Sequence, residues 1–199
     1  MSAIHAAGYR PRAQQGFTLV ELMVALLIGL FLLGGLLTVV QDNKRTFGSQ
    51  NQLAQLQDAE RLGMTMMTDV IQATGYFPNP TLNTASSLLV AYGAMAQGQA
   101  MTGTYNAAAP GDTITVRYAT NSGDGILNCT GSSNTSGAVF TYVNTFSVAS
   151  NQLVCTRENG TTYPLVSGVT NLSVLYGVNT TGTGNNVDTY MQAAQVTAA

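Results

Sequence analysis

The chain has 199 residues, enough for one domain or one domain with an appendage. Apolar residues make up 45% and charged residues 8%, against roughly 25% charged in ordinary soluble domains, so a core can form while surface polarity comes from Thr, Ser, Asn, Gln and Gly. Seven basic and nine acidic side chains give a net charge of -2, which excludes a phosphate-neutralising nucleic-acid binder. The apolar content also argues against a wholly disordered chain. His5 is the only histidine and lies in the leader region, which leaves none for a triad or metal site further on.

Residues 1–16 carry Arg10 and Arg12, no acid, and end at Gly16. From Leu22 to Val40 the only polar side chain is Thr38. As a helix that stretch spans about 28 Å, close to the ~30 Å hydrocarbon core of a bilayer. The arginines precede it, so the N-terminus is expected in the cytoplasm and the rest of the chain across the membrane. A secretory signal would have a shorter apolar region and a small-residue cleavage site, whereas the far side here reads Gln41-Asp42-Asn43-Lys44-Arg45. An ordinary single-span anchor leaves Glu21 unexplained, since a carboxylate at the head of a membrane segment is costly and signals function.

Gly16-Phe17-Thr18-Leu19-Val20-Glu21, with a basic leader before it and an apolar stretch after it, resembles the N-terminus of type IV prepilins. The resemblance implies that a prepilin peptidase cuts between Gly16 and Phe17 and methylates the new amine of Phe17. It also implies that Glu21 attracts the N-terminal amine of a neighbouring subunit and sets axial register during assembly. A buried carboxylate needs such a partner in any case.

Gln41 to Thr74 continues as helix without Pro, so one long helix is expected over 17–74, membrane-spanning at about 22–40. Leu53, Leu56, Ala59, Gly63, Met66, Met67, Val70 and Ile71 fall on one face, which should pack on a head formed by 75–199. Met64, Met66 and Met67 are read as core filler. Gly34, Gly35 and Gly48 suit either bending or close helix packing. Lys44 and Arg45 mark the outer end of the span, Gly75 caps the helix, and Pro78 and Pro80 prevent its restart.

Beyond residue 80, strands are expected at Ser87–Tyr92, Thr113–Tyr118, Ala138–Val148, Gln152–Thr156, Thr162–Val166 and Val169–Val178. Glu158-Asn159-Gly160 should turn a hairpin, and 93–111 and 119–137 should be loops. The expected fold class is α+β, a type IV pilin-like long helix packed on an antiparallel sheet. Cys129 and Cys155 are the only cysteines, and the topology places them in an oxidising compartment, where a disulfide is expected; two unpaired thiols are the alternative.

The string from Pro164 to Val178, PLVSGVTNLSVLYGV, is similar to a strand region of PilW-type minor pilins. In such chains an Asp- and Gly-rich turn often follows, but 179–188 carries only Asp188, so a solvated turn is expected rather than a Ca²⁺ loop. Relatives tend to run past Ala199, so the sheet could be incomplete at its C-terminal end. The Asn-x-Ser/Thr triplets carry no weight in so Thr- and Asn-rich a chain.

The resemblances imply a non-enzymatic minor pilin without cofactor. Its implied partners are the prepilin peptidase, other major and minor pilins, the inner-membrane assembly platform and the bilayer. It would sit in the inner membrane with its head in the periplasm, then in the filament, where minor pilins prime assembly and occupy the tip, supporting adhesion, twitching motility or DNA uptake. Rival readings are a J-type minor pseudopilin of type II secretion and an adhesin on a pilin stem.

Overall fold

The computed structural model describes residues 16–184 and 186–196. His5, Arg10 and Arg12, with the rest of the expected leader up to residue 15, lie outside the described residues, as does Ala199. The chain divides into two units, Met1–Gln52 and Leu53–Ala199.

The first unit contains the start of α1, a helix over Leu19–Gln72. Every large apolar side chain there from Phe17 (83% exposed) to Val40 (44%) is open. An all-apolar helix that finds no core among the described residues needs lipid or other helices around it. A Cβ added at Gly34, Gly35 or Gly48 would meet nothing within 4 Å among the described residues.

In the second unit, the last part of α1 lies on a five-stranded antiparallel sheet. The helix ends where Gly75 takes φ +77 and donates its N–H to the carbonyl of Arg117 at 3.0 Å. The strands are β1 (Met101–Thr104), β2 (Thr113–Thr120), β3 (Phe140–Ala149), β4 (Gln152–Arg157) and β5 (Thr162–Ser167), ordered β1-β2-β3-β4-β5. A separate ribbon pairs β6 (Tyr176–Val178) with β7 (Thr189–Met191).

Alternation in β2 to β4 sends Ile114, Val116, Tyr118, Tyr142, Phe146 and Cys155 into a core shared with Val70 of α1. Gly63 faces the sheet: a Cβ there would stand 3.4 Å from Val166 and 3.5 Å from Leu153, ordinary van der Waals contact. On the other face Thr102, Thr115, Thr145, Thr156 and Thr162 form one rank across all five strands. Thr115 pairs with Thr145 and Thr156 with Thr162 through hydroxyl hydrogen bonds of 2.8 Å, the cross-strand contacts that stabilise a polar face.

Four expectations change. The helix stripe is covered only from half-buried Ala59 onward, while Leu53 and Leu56 are 58% and 63% exposed; Met66 and Met67 are half-buried and Met64 is exposed. The expected strand Ser87–Tyr92 begins instead with a helical turn, α2 (Ala85–Leu88). Thr84 and Ser87 form a reciprocal capping box there, and local side-chain bonds outcompete extended backbone.

The expected loop 93–111 holds β1. Its interruption by Gly103 hid it, and that glycine is required because a Cβ would collide with the Tyr176 hydroxyl. The expected strand Val169–Val178 is regular only at Tyr176–Val178. Before it, Asp112 accepts the Val174 N–H at 2.8 Å and donates its own N–H to the Leu172 carbonyl at 2.8 Å, so these backbone groups pair with the segment before β2.

The other strands lie within two residues of their expected bounds: β2 runs on to Thr120, β3 starts at Phe140 rather than Ala138 and ends at Ala149, and β4 and β5 each run one residue further. The 158–160 turn closes the β4–β5 hairpin with Gly160 at φ +79.

Candidate functional site: the helix start and the stapled head

Gly16, Phe17 and Thr18 are non-helical and exposed, and α1 begins at Leu19. The bond between Gly16 and Phe17 therefore lies in exposed, non-helical backbone just ahead of the helix. Thr18 starts the helix: its carbonyl accepts the Leu22 N–H at 3.2 Å and its Oγ1 accepts the Glu21 N–H at 3.3 Å. That satisfies a backbone donor which hydrocarbon could not. Thr18 and Glu21 thus have the T-x-x-E spacing of a helix start, and the Glu21 carboxylate stands in the first turn, where the helix dipole favours a negative charge. Glu21 is exposed, as is the apolar helix after it. Among the described residues this is the one helix long and apolar enough to cross a membrane, with a mean hydropathy of 2.7 over its best window.

The head is held by two buried devices. Cys129 and Cys155 form a disulfide, with Cα atoms 6.4 Å apart and a sequence separation of 26. It ties the 121–139 loop to β4 in the core. Asn144 reinforces the tie, accepting the Cys129 N–H at 3.1 Å while its Nδ2 donates to the Tyr118 hydroxyl at 3.3 Å. Burial holds the Tyr118 phenol above its ordinary pKa, against the opposing pull of the Asn144 hydrogen bond. Its hydroxyl donates to the Leu127 carbonyl at 2.6 Å. In the chain-entropy model the crosslink stabilises by about 3 kcal/mol. Reduction should therefore lower the thermal midpoint of the head by several degrees, read by circular dichroism with and without a phosphine reductant; an unchanged midpoint would contradict this.

The second device is Arg117, 1% exposed, which the sequence reading did not single out. Its guanidinium donates to the carbonyls of Leu89, Val90, Ala96 and Gln99. Burial lowers its pKa. The signal available in the sequence was a lone cation in an otherwise apolar and threonine-rich strand.

In the 179–188 turn, Asp188 accepts N–H bonds from Thr180 at 3.0 Å and Thr181 at 3.2 Å, which hold its carboxyl below the usual range. The carboxylate closes the turn on itself. Among the described residues no group of three or more His, Cys, Asp or Glu side chains converges as metal ligands would.

Residues 11–37 match the Prokaryotic N-terminal methylation motif, and residues 132–199 match Type IV Pilus-assembly protein W. No curated protein and no solved structure matches the chain. The first match contains Gly16, Phe17 and Glu21; the second contains β3 to β7 and the disulfide cysteine of β4. Together with the long apolar helix and the antiparallel sheet, they support a type IV prepilin-like minor pilin, structural rather than catalytic and anchored in a membrane.

Proposed function

We propose that this chain is a minor pilin that is processed at the inner membrane, helps to prime a type IV pilus and stays at or near the filament tip. The observation that carries the reading is the open Gly16-Phe17 bond followed within one helical turn by Glu21 and then by an uncovered apolar helix. Insertion with the N-terminus in the cytoplasm leaves the head in the periplasm. The peptidase removes residues 1–16 and methylates the amine of Phe17. The helix then moves from lipid into a bundle of pilin helices, exchanging one apolar environment for another, so burial alone gives little direction or register.

Charge supplies the register. A Phe17 ammonium left alone in hydrocarbon is costly, and so is a lone Glu21 carboxylate. Stacking one subunit so that its Glu21 meets the amine of the next removes both penalties at one axial offset. The minor-pilin reading takes precedence over a secretion pseudopilin because the C-terminal match is to a pilus-assembly protein.

Processing is tested by intact-mass measurement. Gly16→Leu places a bulky side chain at the proposed cleavage site and should leave the chain at its full precursor mass, whereas the wild type loses residues 1–16 and gains one methyl group. A Gly16→Leu protein with the mature mass would overturn the assignment of the cleavage site.

A further inference from the structure

The two edges of the five-stranded sheet differ. β5 carries Pro164 and faces a register shift at Leu153/Val154, devices that hinder the pairing of a further strand. β1 has no proline, no charged side chain and no shift in its register with β2. Beside β1 lies a cleft of about 530 Å³, lined also by Tyr176, Gly177 and Val178 of β6 and by Val196.

The phase of the β1–β2 ladder fixes which backbone groups face that cleft. Arg117 donates its N–H to the Ala100 carbonyl at 2.9 Å, one step before Met101 pairs with Val116. Bonded and non-bonded pairs alternate along an antiparallel ladder, so Thr102 and Thr104 turn their N–H and C=O to β2, and Met101 and Gly103 turn theirs outward. The Gln99 side chain agrees with this phase, because its Nε2 donates to the Met101 carbonyl at 2.9 Å from outside the ladder. The Met101 N–H and both backbone groups of Gly103 then have no partner among the described residues.

Main chain borders the cleft from both sheets. Gly103 of β1 and Gly177 of β6 both line it, and a glycine has only backbone atoms to present. Both positions are kept free of a side chain: a Cβ at 103 would collide with the Tyr176 hydroxyl, and one at 177 would stand 2.9 Å from Val187. Among the described residues no Asp, Glu, Lys, Arg or His lines the cleft. A charge brought into it would lose water without gaining a counter-charge.

We propose that this cleft takes an extended, uncharged segment of a partner protein, which adds to β1 as a sixth strand of the sheet. Gly103 exchanges N–H and C=O with the segment and Met101 donates its N–H, while the Met101 carbonyl stays with Gln99. A peptide main chain is the occupant that fits, because it carries donors and acceptors at the two-residue spacing that Met101 and Gly103 present. The inference does not depend on the pilin reading, because it rests on the geometry of the head alone.

The test pans a displayed random short-peptide library against the full chain in detergent micelles, with empty micelles as control. The expected result is enrichment of uncharged, proline-free sequences rich in strand-forming residues. In synthetic copies, backbone N-methylation of every second residue should weaken binding roughly tenfold in one phase and little in the other, as the loss of edge hydrogen bonds requires. Bound peptide should slow deuterium exchange at the Met101 and Gly103 amides. Met101→Pro removes an edge N–H and should bind roughly tenfold more weakly, whereas Met101→Ala loses the side chain, keeps that N–H and should bind as the wild type does. No enrichment over empty micelles, a charged consensus, equal effects of N-methylation in both phases, or unchanged exchange at the two amides would overturn the proposal. Self-association of the chain that Met101→Pro abolishes and Met101→Ala does not would also overturn it, and would assign the edge to a second copy.

Discussion

Glu21→Val should leave leader removal intact and reduce incorporation into filaments by roughly a hundredfold. The substitution removes the only carboxylate between residue 16 and the end of the apolar stretch at Val40. The Phe17 ammonium of the adjoining subunit would then be buried without a counter-charge, at about 3 kcal/mol. The loss of a favourable first-turn carboxylate adds a few tenths of a kcal/mol. Cleavage should survive, because Gly16 and Phe17 precede the helix and the Thr18 cap, and the open bond does not involve the Glu21 side chain. The readout is the ratio of mature subunit in sheared filaments to mature subunit in membranes. Glu21→Gln, which keeps volume and loses charge, should behave like the valine variant. Wild-type incorporation of both variants would remove the register role.

Arg117→Met should destabilise the head by about 4 kcal/mol or more, a large share of the roughly 5–15 kcal/mol available to a domain. Methionine keeps the buried stem but supplies no donor, so the carbonyls of Leu89, Val90, Ala96 and Gln99 lose their side-chain partner at about 1 kcal/mol or more each. The backbone of Arg117 also bonds Ala100 at 2.9 Å and Gly75 at 3.0 Å, so one residue joins the helix end, the 89–100 segment and the sheet. Lysine should rescue little, since an ammonium cannot reproduce the planar fork of a guanidinium. Urea unfolding of the full chain in detergent reads the effect. A loss below 1 kcal/mol would mean that the 89–100 segment is held by other contacts.

Much of the scaffold was legible because it follows simple periodicities. The apolar run at Leu22–Val40 and the alternation in Thr113–Tyr118 each express one pattern over several residues. The Asn159-Gly160 turn is equally local, since only a few residues favour the left-handed backbone it needs. The hidden parts depend on partners distant in sequence. β1 is read only once Tyr176 is known to stand over Gly103. Val169 to Leu175 look like a strand in isolation, yet Asp112 captures the Val174 N–H.

The same division holds for the candidate sites. Gly16, Phe17 and Glu21 are neighbours in sequence and their spacing carries the motif. Cys129 and Cys155 could be paired because the chain holds no other cysteine. The carbonyl contacts of Arg117 are assembled by tertiary packing, and no spacing in the sequence announces them.

The most direct measurement of the central claim is to delete the gene and, in the same strain, count surface pili and assay exoprotein secretion. The account predicts lost or sharply reduced pili with normal secretion, restored by the wild-type gene and not by the Gly16→Leu form. Normal pili with blocked secretion would contradict it and place the chain in a secretion pseudopilus.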